Sequence, residues 1–269
     1  MSPRWRGGLG LAGAWLRRVQ LWLLERGLRI ERARKRRRRG EEGCRFEYQR
    51  RYVDFDIPPG ARVLDIGSGG DPFPYATVLV DRFTGPTRHR HAPLVQDGRE
   101  FVEADICALP FADKAFDFVY CAHVLEHVPD PRAACRELMR VGRRGYIETP
   151  TLTKDLLFAW GVPDMHRWHV VALANRLCFF ELDARQRAGI RTDAWRRLIF
   201  GRWEHPLQDA YFENQDVFNV MFLWAGGFEV EVFRLDGSRE AVEIGAGTER
   251  SFTTETQRAQ RIHYELCRL

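Results

Sequence analysis

Val63-Leu64-Asp65-Ile66-Gly67-Ser68-Gly69-Gly70 is the stretch on which the fold turns. Pro58-Pro59-Gly60 ahead of it is a turn signal, and Ala61-Arg62-Val63-Leu64-Asp65-Ile66 reads as a short buried strand running straight into glycines. Without a Cβ, Gly67, Gly69 and Gly70 open backbone angles closed to other residues and let a ligand approach the main chain. Such a strand and loop begin a nucleotide-binding βα unit, with Asp71 placed to cap a helix opened by Pro72. A dinucleotide loop needs GxGxxG. Counted from Gly67, the third glycine is replaced by Pro72, which argues against a nicotinamide- or flavin-dependent oxidoreductase.

Three later segments extend the pattern. Thr77-Val78-Leu79-Val80 reads as a second strand, and Asp81 at its end offers a carboxylate that can accept both hydroxyls of a ribose. In Phe101-Val102-Glu103-Ala104-Asp105-Ile106, Asp105 suits an adenine amino group and Ile106 the face of the base. The run from Ala115 to Val128 reads as a strand entering a polar loop and then a helix, with the strand's end beside the first glycine loop. Asp130-Pro131 then opens a helix through Arg140 with Ala134, Leu138 and Val141 on its packing face, and Gly145–Thr149 forms a further buried strand.

The ordered set, a VLDIGxG loop, a D-I-x-x-L-P-F segment and an L-E-H-V segment, resembles the class I S-adenosylmethionine-dependent methyltransferases of the type 11-like group, over roughly residues 50–150. The resemblance implies an α/β fold: a Rossmann-like three-layer sandwich of about seven mostly parallel strands with a last antiparallel one. It implies S-adenosyl-L-methionine as cofactor. Asp65 would orient the loop, Gly67, Ser68, Gly69 and Gly70 would border the methionine, Asp81 the ribose, Asp105 and Ile106 the adenine, and Cys121, Ala122 and His123 the methionine amino group. Asp71–Ala76 leaves room for barely one helical turn where the family has a longer helix.

Residues 150–223 exceed an ordinary connection and are rich in aromatics, among them Phe158, Trp160, Trp168, Phe179, Phe180, Trp195, Phe200 and Trp203, and are read as an acceptor-binding cover. His166 and His169 within it, with His123 behind them, are the candidate catalytic bases. Glu126 and His127 read as the end of the fourth strand's loop. Asp216–Trp224 reads as a helix, and Ala225–Phe233 resembles the family's closing turn and strand.

The net charge of +5 hides an asymmetry: residues 1–40 hold 13 Lys/Arg against two Glu, and subtracting that +11 leaves −6 for the rest. An acidic body repels phosphate backbones, so nucleic acid is not the expected partner. The arm, residues 1–45, has a partly amphipathic run at Leu9–Leu24, broken by Arg17 and Arg18 and too short to span a bilayer. The basic block Arg32–Arg39 follows, read either as a solvated charge run or as a peripheral membrane contact through anionic headgroups. Six cysteines without a CxxC pair point to reduced thiols in a cytoplasmic protein and to no metal. The expected organisation is this arm, a methyltransferase domain over residues 46–245 and a tail over 246–269. The expected reaction is methyl transfer to an oxygen, nitrogen or carbon nucleophile of an unidentified acceptor, with a small or lipid- or sugar-linked hydroxyl favoured. A catalytically inactive cofactor-binding scaffold that docks a partner through the arm is the first alternative, with a nucleotide-dependent oxidoreductase behind it.

Overall fold

The computed structural model describes residue 22 and residues 45–87, 90, 92–158, 165–188 and 213–242. Apart from residue 22, the expected arm helix lies outside the described residues, as do its basic block, Trp160, Trp195, Phe200, Trp203 and the tail. The chain divides between residues 43 and 44 into two units, and the elements below belong to the second.

Helix α1 (Arg45–Gln49) precedes the first strand. Strands β1 (Val63–Ile66), β2 (Val78–Asp81), β3 (Glu100–Glu103), β4 (Phe118–Ala122) and β5 (Arg144–Pro150) are parallel, and β8 (Asn219–Ala225) joins them antiparallel, in the order β3-β2-β1-β4-β5-β8. Strands β1 and β4 are buried throughout. Strands covered on both faces read as continuous apolar runs, as in Val63-Leu64 and Phe118-Val119. Helix α2 (Pro131–Val141) crosses from β4 to β5. Its start is fixed as the sequence indicates: Asp130 Oδ1 accepts from Arg132 N at 3.0 Å and Ala133 N at 3.1 Å.

The α/β, mostly parallel reading holds, with differences in detail. No helix follows Asp71. Residues 67–77 cross from β1 to β2 as loop and turn, and the Asp71 carboxylate accepts from Arg45 N at 3.1 Å. The helix expected over Asp216–Trp224 is only α5 (Gln215–Phe218), and the apolar run after it is β8, paired along its length with β5. A short run buried on both faces carries no periodicity that separates helix from strand.

The cover contributes α3 (Leu152–Phe158), the hairpin of β6 (Trp168–Leu173) and β7 (Arg176–Glu181), and α4 (Ala184–Ala188). That hairpin, β9 (Glu229–Phe233) and β10 (Arg239–Val242) form a second sheet in the order β10-β9-β7-β6. The expected closing strand therefore lies in the second sheet. Trp168 and Phe179 are fully buried in the core there, with Val170, Leu177, Val230 and Val232, so these cover aromatics pack the fold.

Three layers result. On one face of the central sheet, Leu64, Val119, Cys121 and Ile147 pack with Ala134, Cys135, Leu138 and Val141 of α2 and with the second sheet. On the other, Val63, Leu79, Phe118, Tyr120 and Tyr146 pack with Val53, Phe55 and Phe73. Phe73 lies flat on Tyr120 with ring centroids 4.2 Å apart.

Candidate active site

In an open α/β sheet, ligands bind outside the carboxyl ends of the strands, where the strand order reverses. Here that point is between β1 and β4. The loops leaving them touch. Gly67 has φ +71°, and a Cβ built on it would lie 2.4 Å from Val124 Cγ2. Gly67 N and Ser68 N both donate to Val80 O, at 2.7 and 3.1 Å, which holds the loop across the end of β2. Ser68 is 2% exposed, and its Oγ has no hydrogen-bond partner. A buried hydroxyl without a partner costs folding free energy.

Asp65 lies at the end of β1, fully buried, and its Oδ2 accepts from Phe73 N at 2.8 Å. It thereby shapes the loop. Burial pushes its carboxyl up to about 7, with the Phe73 amide offsetting part of the effect. Gly69 has φ +54°, and its N–H donates to Asp81 Oδ2 at 3.2 Å. Gly70 lies under residues 92–93: a Cβ there would meet Ala92 Cβ at 2.7 Å and Pro93 O at 2.8 Å. Asp81 also accepts from Phe83 N at 2.9 Å and pairs with Arg90. Asp105 accepts from Cys107 N at 2.9 Å through Oδ1, while Oδ2 lies 3.2 Å from an Arg82 nitrogen. Ile106 is 6% exposed and belongs to the core. The side chains of Cys121 and Ala122 also lie in the two cores, so a ligand meets these residues only through their backbone.

His123 leaves the strand with φ +59° and stands between two buried carboxylates. Its Nε2 is 3.0 Å from Glu148 Oε1, and its Nδ1 is 3.4 Å from Glu126 Oε1. Glu148 collects further donors: Tyr146 Oη at 2.5 Å, Gln49 Nε2 at 2.8 Å and the hydroxyl of Tyr48. Tyr120 Oη donates to Gln49 Oε1 at 2.9 Å. Burial alone would raise the carboxyls of Glu148 and Glu126. The His123 hydrogen bonds, the Tyr146 and Tyr48 hydroxyls at Glu148 and the neighbouring histidines at Glu126 reverse this and hold each at about 2. Tyr48, Gln49, Tyr120, Tyr146 and Glu148 were not singled out from the sequence. The one visible signal was a carboxylate inside the apolar strand Gly145-Tyr146-Ile147-Glu148-Thr149.

Of the other candidate bases, His166 lies next to this turn and His169 does not. His166 Nδ1 is 2.9 Å from Asp155 Oδ2 on α3, and the His166 ring meets the His127 ring edge-on at 4.7 Å between centroids. Burial would lower the His166 value, but the Asp155 hydrogen bond and the charges of Glu126 and Asp155 raise it. Strand alternation carries His169 to the opposite side of β6 from Trp168 and Val170, against the ring of Phe180, and burial lowers its value.

The fold, the strand-order reversal and the glycine loop define an α/β protein with a crevice between the ends of β1 and β4. Residues 64–147 match the family described as methyltransferase domain. It is 36% identical over 113 residues to a demethylmenaquinone methyltransferase of Roseiflexus sp. (strain RS-1), covering 38% of this chain and 48% of that one. It is 30% identical over 178 residues to the ubiquinone/menaquinone biosynthesis C-methyltransferase UbiE of Xanthomonas campestris pv. campestris, covering 57% and 63%. The chain thus spans about half the length of the first of these curated relatives and under two thirds of the second. Among solved structures it is similar to the putative methyltransferase in complex with the Haloferax volcanii Trm112 activator, with 14% identity, coverage of 67% and 88%, and a TM-score of 0.42.

Proposed function

We propose that this chain transfers a methyl group from S-adenosyl-L-methionine to a hydroxyl of a small or lipid- or sugar-linked acceptor. The observation that carries the cofactor assignment is the partnerless Oγ of Ser68, buried in a loop whose Gly67 leaves no room for a side chain against Val124. Gly67–Gly70 would hold the methionine end, Asp81 the ribose, and Asp105 the adenine edge. The bound cofactor supplies an electrophilic methyl on a sulfonium. Transfer to a hydroxyl would require that oxygen to be held in line with the methyl and its proton to be taken up by a group of this chain.

This chain's own contribution is positioning and a proton acceptor. His123 already faces a carboxylate from each ring nitrogen and is best suited to fixing the turn. His166 donates through Nδ1 to Asp155, which leaves Nε2 to take the hydroxyl proton. The hydroxyl preference rests on that pairing and on the net −6 of the chain after residue 40. A membrane contact for the arm, a cytoplasmic location and the division into arm, domain 46–245 and tail belong to the same reading. No helix among the described residues is long and apolar enough to cross a membrane.

Calorimetric titration with S-adenosylmethionine and S-adenosylhomocysteine, on wild type and on Asp81→Ala and Gly67→Ala, tests the reading, followed by radiolabelled methyl transfer to a panel of hydroxylated acceptors. Binding that both substitutions abolish supports it, and absence of wild-type binding overturns it. Binding with no turnover on any acceptor favours the inactive scaffold.

A further inference from the structure

Glu126, His127 and His166 present one ligand atom each, and these atoms all lie within 4.8 Å of one another. We propose that they form a binding site for a divalent transition-metal ion, with Zn²⁺ the best match to two imidazole nitrogens and one carboxylate oxygen. Three features separate this cluster from a chance meeting of polar side chains.

The first is an orphan. Glu126 is 1% exposed, and its Oε2 has no hydrogen-bond partner. A buried carboxylate oxygen left unmatched is costly, and a cation satisfies it. The second is ring orientation. His127 Nδ1 lies 3.1 Å from Met165 O, and His166 Nδ1 lies 2.9 Å from Asp155 Oδ2. Both oxygens only accept, so each Nδ1 carries the proton, and His127 Nε2 lies 3.8 Å from Glu126 Oε1. Metal-ligating histidines are held this way, the far nitrogen donating to a carbonyl or carboxylate. The third is rigidity. Arg167 N and Trp168 N both donate to Glu126 O, at 2.7 and 3.3 Å, and Trp168 Nε1 donates to Val128 O at 2.7 Å. These bonds tie the start of β6 to the turn after β4, so ligands 39 positions apart in sequence are held by buried backbone.

Zn–N and Zn–O bonds of about 2.1 Å place tetrahedral ligands about 3.4 Å apart. The cluster therefore needs to close by up to about 1.4 Å, through rotation of the side chains. Three protein ligands leave a coordination position for water or an acceptor oxygen, the pattern of catalytic rather than structural sites. The turn that supplies Glu126 also supplies Val124, which packs on Gly67, so the ion would stand beside the turn that meets the glycine loop. There it would lower the pKa of an acceptor hydroxyl, a role that rests on the methyl-transfer reading; the metal site itself does not. With the ion bound, His166 is a ligand and not a base. The absence of a CxxC pair had directed expectation away from any metal, because that spacing reports only thiolate sites.

The test uses the full chain stripped with chelator and dialysed, titrated calorimetrically with Zn²⁺ alone and spectroscopically with Co²⁺. One ion per chain, a visible d–d band without a thiolate charge-transfer band, and a rise in Tm on Zn²⁺ addition are expected. Glu126→Gln and His166→Ala should abolish binding, and Asp155→Asn should weaken it about 10- to 100-fold by releasing the ring. Circular dichroism checks that each variant is folded, and Asp155→Asn, which removes no ligand, carries the test if the others unfold. No wild-type binding, a thiolate band, or binding indifferent to Asp155→Asn and to whichever ligand variants fold overturns the site. None of these readouts requires methyl transfer or cofactor binding, so a failed metal site and a failed methyltransferase reading give different results.

Discussion

Arg90 stands on Asp81: its Nη1 lies 3.4 Å from Asp81 Oδ2, the same oxygen that accepts from Gly69 N. The guanidinium is anchored further by donating to Phe83 O at 2.9 Å and Gly85 O at 2.6 Å, and its side chain is nearly buried. The carboxylate proposed for a ribose is therefore already engaged, and ribose hydroxyls would have to compete with a cation for it.

Arg90→Ala should tighten S-adenosylmethionine binding, by about 1 kcal/mol or roughly fivefold, because the competing charge is gone. Asp81→Ala should weaken it. Calorimetry on both variants decides: an affinity loss in Arg90→Ala as large as in Asp81→Ala would mean that Arg90 builds the site.

Ser68→Ala should leave the ligand-free protein as stable as wild type or slightly more so, since the hydroxyl it removes has no partner. Cofactor affinity should fall by about 1 kcal/mol. Urea denaturation and calorimetry read the two effects separately, and an unchanged affinity would remove Ser68 from the site.

Gly67→Ala combines a left-handed backbone angle with a Cβ 2.4 Å from Val124 Cγ2. Each effect costs about 1–3 kcal/mol. Adding Val124→Ala should recover the steric part and leave the backbone part, so the double variant should be more stable in urea than Gly67→Ala alone.

Glu148 is held at about 2 because its hydrogen bonds from His123, Tyr146 and Tyr48 outweigh burial. A carboxyl lowered on folding contributes stability that is complete above its free value near 4.5 and is lost as pH falls towards 2. At about 1.4 kcal/mol per unit, this amounts to roughly 3 kcal/mol. Glu148→Gln should lose that part of the acid dependence and be less stable than wild type at pH 7. Urea midpoints between pH 3 and pH 7 measure both.

Asp65 runs the other way. Burial raises its folded value to about 7, against 3.8 free, so the folded state holds the extra proton between these values. Its contribution is fully present below about pH 4 and declines as pH rises through 7. Asp65→Asn keeps an oxygen for Phe73 N and removes the buried charge. It should be more stable than wild type at pH 8 and about equal at pH 4, and equal stability at both would show that the carboxyl titrates normally.

Much of the fold is legible because its signals are local. Val63–Ile66 running into Gly67, Asp130-Pro131 ahead of an amphipathic turn, and Asp81 at the end of an apolar run each state their structure within a few residues. The run Asn219–Ala225 is not legible in this way: it is apolar on both faces, and only pairing with β5 makes it a strand. The aromatics at Trp168 and Phe179 look like a ligand cover in sequence. Burial against α2 and β9 makes them core.

By itself, the sequence determined the order of the parallel strands' signals, the glycine loop and the class of cofactor it suits, because backbone freedom and strand burial are properties of adjacent residues. Tertiary structure decided which polar side chains meet. Tyr48 reaches Glu148 across 100 positions, Arg90 covers Asp81, and His166 comes to Glu126 and His127 only because the backbone of Arg167 and Trp168 is bonded to Glu126. No local pattern encodes these meetings. They follow from long-range packing, where a buried charge persists only if distant donors converge on it.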